Sequence, residues 1–109
     1  MTMYDVNLTN SHFPAQNDAE IRDIAVGDLL REIAAENQNA VAMVDIADNG
    51  DCGQTWTYAE LLAQAQHLAK ALTSRFAAGE KVVVWAPNIP QWVFMEYACG
   101  LAGLVLVTA

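Results

Sequence analysis

Apolar residues recur along this chain with two different periods, and the alternation between them predicts an α/β fold. Leu61, Leu62, Ala65, Leu68, Ala69, Leu72 and Phe76 fall within an arc of about 120°, the stripe of a helix with one buried face. The segment Thr57-Tyr58-Ala59-Glu60 just before it has the form of a capping box, so the helix should start there and run to about Arg75. Val26, Leu29, Leu30, Ile33 and Ala34 share a second helical face and predict a helix over residues 26–36. Asp28 in its first turn suits the helix dipole.

Other stretches are too short or too uniformly apolar for that period. Residues 40–46 (AVAMVDI) predict a strand, and residues 48–53 (DNGDCG) are dense in turn formers. Residues 54–57 can return antiparallel, which makes a hairpin with a longer loop. The run Val82-Val83-Val84-Trp85 predicts a strand over residues 81–85, covered on both faces as in a parallel sheet. Pro87-Asn88 ends it, with Asn88 as the expected N-cap of a third helix and Pro90 in its first turn. That helix, to about Leu101, is apolar nearly all round and should be buried on several sides. Gly103 then allows a turn into a strand over residues 104–108. The last unit is thus a β-α-β crossover, which handedness rules make right-handed and parallel.

Composition narrows the function classes. The chain of 109 residues is 54% hydrophobic and 17% charged, with a net charge of −8, which argues for a packed core over disorder. The charge is uneven: residues 1–53 hold ten acids and two bases, residues 54–109 three of each. Without Lys and Arg clusters, nucleic acid is not an expected partner. Residues 92–109 carry one charge, Glu96, and are interrupted by Gly100 and Gly103, so no transmembrane segment is expected. Cys52 and Cys99 have no metal-ligand spacing and are read as reduced thiols of a cytoplasmic protein. No signal peptide pattern opens the chain.

The candidate chemistry is thin. A dinucleotide fold places glycines at the turn between the third strand and the third helix, yet that turn reads Ala86-Pro87-Asn88-Ile89-Pro90. Asp45, Asp48 and Asp51 lack the spacing of a calcium loop and read as a solvated hairpin tip. His12 is placed in the N-terminal arm and His67 on the polar side of the second helix, neither near a partner for catalysis. Glu96, alone in an apolar helix, is expected at a rim or paired. Trp56, Trp85 and Trp92 are expected to serve core and strand-end packing. No catalytic, cofactor-binding or metal-ligating residue is assigned.

Four blocks in order resemble the opening of the adenylate-forming, or AMP-binding, enzymes. They are Thr55-Trp56-Thr57-Tyr58-Ala59-Glu60-Leu61, then Gly79-Glu80-Lys81-Val82-Val83-Val84-Trp85-Ala86-Pro87-Asn88, then Ile89-Pro90-Gln91-Trp92-Val93, then Gly100-Leu101-Ala102-Gly103-Leu104-Val105-Leu106-Val107. Departures are Glu80 where the pattern has Asp, Gln91 where it has Glu, and Leu101-Ala102 where a Lys-Ala or Arg-Ile pair is common. The stretch from Trp85 to Val93 looks most like fatty-acid acyl-CoA synthetases. Residues 1–24 are polar and weakly patterned and read as an extended N-terminal arm, and the resemblance implies an incomplete N-terminal portion of a synthetase domain over residues 25–109. It also implies a parent using ATP, magnesium and coenzyme A on a fatty or other carboxylic acid. The family's phosphate loop, adenine and ribose contacts and catalytic lysine lie later in its pattern. The remainder of the synthetase chain is then the expected partner, and an exposed sheet edge the expected route to self-association. The alternative reading is a self-contained α/β binding module.

Overall fold

A computed structural model describes Thr9 and residues 11–109. Its elements run α1 (Val26–Glu36), β1 (Val41–Ile46), β2 (Cys52–Thr57), α2 (Tyr58–Thr73), β3 (Lys81–Val84), α3 (Pro90–Ala102) and β4 (Val105–Thr108). The order is that expected from the hydrophobic pattern. The second strand is the longer exception: it begins at Cys52, inside the turn-forming run. Residues 11–24 of the arm contain no helix or strand, and Phe13 within it is 56% exposed.

Two small sheets flank the helices. β1 and β2 pair antiparallel, with Val44 opposite Thr55 and register shifts on either side. β3 and β4 pair parallel, with Lys81 opposite Val105 and Val84 opposite Thr108. At the hairpin tip the Asp51 amide donates to Asn49 Oδ1 at 3.1 Å, and Asn49 Nδ2 donates to Asp51 Oδ2 at 2.8 Å. These local bonds satisfy the tip without tertiary partners.

The α2 N-terminus is built as its sequence specifies. The Glu60 amide donates to Thr57 Oγ1 at 3.2 Å, and the Thr57 amide donates to Glu60 Oε2 at 2.8 Å. Two otherwise orphaned amides are thereby satisfied by side chains. The α3 C-terminus is closed differently. Gly103 adopts the left-handed region at φ 70°, and the Leu104 amide reaches back to the Cys99 carbonyl at 2.9 Å. Glycine takes that conformation without a Cβ clash, and it turns the chain directly into β4.

The core divides into two clusters that meet on α2 and α3. Ala69, Leu72, Ala98, Cys99 and Leu104 pack with Val82 and Leu106 from the parallel sheet. Leu30, Leu61 and Ala65 pack with Phe94 and Tyr97 beneath the hairpin. Trp56 of β2 is buried and meets Phe94 edge to face, centroids 5.5 Å apart. α1 crosses close to α3: a Cβ on Gly27 would lie 2.9 Å from Leu101 Cδ2 and 3.3 Å from Leu101 Cα.

Three expectations need correction. β3 is covered on one face only: Val82 and Val84 turn inward, while Val83 is 63% exposed. Its continuous apolar run therefore does not reflect burial within this chain. Trp85 just beyond it is 89% exposed and packs at no strand end. Finally, α3 does pack on several sides, against α1, α2, β2 and β4, but more shallowly than expected: only Ala98 and Cys99 are fully buried and Glu96 is exposed.

Replacing Thr57 by Ala removes one cap bond and should cost about 1 kcal/mol. The expected result is a lower urea midpoint with an unchanged slope of the unfolding transition.

Candidate functional site

The C-terminal end of β3 is where an α/β fold would hold a ligand. There the chain passes through Ala86, Pro87 and Asn88 into α3, whose N-cap is Ile89 in an extended conformation with no side-chain cap. Asn88 is thus one residue too early to cap, and the expected role falls away. Pro90 takes the first helical position, so it contributes no amide hydrogen. The Trp92 amide is already spent on the Ile89 carbonyl at 3.0 Å.

A groove of about 560 Å³ lies beside this turn. Met43, Val44, Asp45 and Ile46 of β1 form one wall, and Asn88, Ile89, Pro90, Trp92 and Val93 form the other. Its lining is mostly apolar, its only ionisable side chain is the carboxylate of Asp45, and it has no cation. Sequence reasoning missed this groove because it joins segments more than forty residues apart.

A nucleotide triphosphate fits this turn poorly. Phosphate cradles need close backbone approach, free amides and positive charge. The turn has no glycine, its first helical residue is proline, and the nearest charged side chain is an acid. No phosphate chemistry can be built on these residues.

The other sequence candidates stay apart. His12 and His67 are both exposed, on the arm and on α2. Glu96 sits at the exposed rim of α3. Among the described residues, no group of three His, Cys, Asp or Glu side chains could hold a metal ion. No helix among them is long and apolar enough to cross a membrane. Arg31 and Lys70 line a smaller groove of about 370 Å³, but Arg31 is held by Asp28 at 2.6 Å. A third cleft, between the arm and α1, is crossed by the Arg22–Glu32 ion pair. That hydrogen bond and the Glu32 charge raise the Arg22 pKa above its ordinary value.

The two thiols have different surroundings. Cys52 is exposed and Cys99 is buried, both free. Burial pushes the Cys99 pKa up, because the thiolate loses solvation.

Comparison with known proteins identifies the architecture. Residues 30–109 match the family model described as "AMP-binding enzyme", and the chain belongs to that family. It is 28% identical over 101 residues to the mitochondrial medium-chain acyl-CoA ligase ACSF2 of Danio rerio, covering 92% of this chain and 16% of that protein. It is 36% identical over 73 residues to an acetyl-coenzyme A synthetase of Emericella nidulans, covering 66% of this chain and 11% of that one. Among solved structures, the N-terminal subdomain of Klebsiella oxytoca NpsA superposes with a TM-score of 0.69 at 28% identity. That match covers 78% of this chain and 21% of the other. The chain therefore resembles the N-terminal part of adenylate-forming synthetases and spans less than a quarter of any of these proteins. This does not favour the reading as a self-contained binding module.

Two outcomes follow from the geometry. Asn88→Ala should change stability by no more than about 0.5 kcal/mol and so leave the melting temperature nearly unchanged, since no cap is lost. In native buffer one thiol, Cys52, should react with a disulfide reagent, and Cys99 only on addition of denaturant. Mass mapping of the modified peptides checks the assignment.

Proposed function

We propose that this chain is the opening scaffold of an AMP-forming acyl-CoA synthetase of the fatty-acid type. It supplies strands and covering helices to the adenylating domain and no catalytic group of its own. Residues 1–24 form the arm and residues 25–109 the start of the AMP-binding domain. The observation that carries the second half of the reading is the β3–α3 turn, which has neither glycine nor cation where a phosphate would sit. The family match over residues 30–109 carries the first half.

In such an enzyme a carboxylate attacks the α-phosphorus of ATP, giving an acyl-adenylate and releasing pyrophosphate. The thiol of coenzyme A then displaces AMP to give the thioester. ATP, magnesium and coenzyme A are assigned to the remainder of the synthetase, which is this chain's principal partner. The fatty-acid assignment is supported by the Trp85-Ala86-Pro87-Asn88 turn and by the medium-chain ligase among the relatives. The pair of free thiols supports a reducing, cytoplasmic setting.

The test is pyrophosphate release by the purified chain with ATP, magnesium, coenzyme A and carboxylic acids from acetate to long-chain fatty acids. No release above buffer is expected. Release that co-purifies with the protein would overturn the assignment of the chemistry to other parts of the enzyme.

A further inference from the structure

Asn49 is the one asparagine of seven that is followed by glycine. The others precede Leu8, Ser11, Asp18, Gln38, Ala40 and Ile89. The Asn49-Gly50 pair occupies the tip of the β1–β2 hairpin, where every residue from 46 to 55 is exposed. The scaffold role makes no use of it.

The chemistry open to such a pair is intramolecular. The Gly50 nitrogen is bonded to the backbone carbonyl carbon of Asn49, so its closure onto Asn49 Cγ forms a small cyclic imide. In other residues a Cβ hinders that approach; glycine has none, and it reaches backbone conformations closed to them. Gly50 has a φ of 86°, and apart from its chain neighbours nothing lies within 4 Å of where its Cβ would be. The surrounding structure thus leaves the reacting nitrogen uncrowded.

Two hydrogen bonds of the turn act in opposite senses. The Asp51 amide donates to Asn49 Oδ1 at 3.1 Å. A donor on that oxygen draws electrons from Cγ and stabilises the oxyanion formed on attack. The Gly50 amide donates to the Ala47 carbonyl at 2.8 Å, and this bond must open to free the nitrogen. The hydrogen bonds of the turn run among Ala47, Asn49, Gly50 and Asp51. An exposed segment held only by such local bonds opens at low free-energy cost.

We propose that Asn49 is a site of spontaneous deamidation in the folded chain. The Gly50 nitrogen gives up its proton and bonds to Asn49 Cγ. The Cγ–Nδ2 bond breaks, and Nδ2 takes up the proton and leaves as ammonia. Water then opens the imide at either carbonyl and leaves aspartate or isoaspartate. Nothing is oxidised or reduced, and water is the only co-reactant. Each product adds one negative charge to a net charge of −8. Neither can donate to Asp51 Oδ2 as Asn49 Nδ2 does at 2.8 Å. The isoaspartyl product also lengthens the backbone by one carbon inside the turn closed by Ala47 and Asp51, and so loosens the tip. Trp56 and Phe94 anchor the other end of the hairpin, and the core stays intact.

The purified chain is held in near-neutral buffer for weeks, and peptide mass mapping follows amide-to-acid conversion at each asparagine. Conversion at Asn49 should be at least about tenfold faster than at each of the other six. It should give two chromatographically distinct products. Gly50→Ala should slow it by about tenfold, both in buffer and in urea, where the strain of alanine at a positive φ no longer matters. Conversion led by another asparagine, or equal across all of them, overturns the proposal. So does an Asn49 that converts in urea but stays intact in the folded chain, since the bond to Ala47 would then hold the nitrogen closed.

Discussion

Close packing of α2 against α3 is the constraint on which the rest of this structure depends. Ala65 and Ala69 on one helix and Ala98 and Cys99 on the other are among its most buried residues. Small side chains let the two helices approach, and the larger residues around them then reach outward to two different sheets. Leu72 and Leu104 extend the contact to the parallel pair, and Leu61 with Phe94 extends it to the hairpin. Neither two-stranded sheet is large enough to stand alone, so both are held by the helical layer.

This organisation fits the proposed scaffold role. The interior is occupied by helix contacts and, among the described residues, contains no buried polar side chain. The strand ends, where α/β folds bind ligands, meet a turn stiffened by Pro87 and Pro90. Proline removes an amide donor and fixes the backbone, the reverse of what a phosphate cradle requires. In the AMP-binding family this region is matched to the N-terminal part of much longer proteins. Under the proposed function, such a segment holds strands in place for the longer chain.

Much of the fold was legible in the residues because local signals agreed with one another. The Thr57–Glu60 capping box, the α2 stripe and the Gly103 turn each act over a few residues, where backbone geometry and hydrogen bonding decide the outcome. Asn88 shows the limit of that logic. Its residue type suits a cap, yet Pro90 sets the helix start and moves the cap position to Ile89. The groove beside it was not legible, because it depends on how β1 and α3 come together across the chain.

The sequence by itself determined the element order, the capped start of α2 and the membership in an adenylate-forming family, all written in short-range pattern and motif. Only the tertiary structure decided which apolar residues are covered. Val82 and Val83 are identical in type and adjacent, but the sheet's single helical layer buries one and leaves the other in solvent. Hydrophobic character states that a residue gains from leaving water. Which residues do so depends on the number of layers that pack around the strand, and that number is a property of the assembled fold.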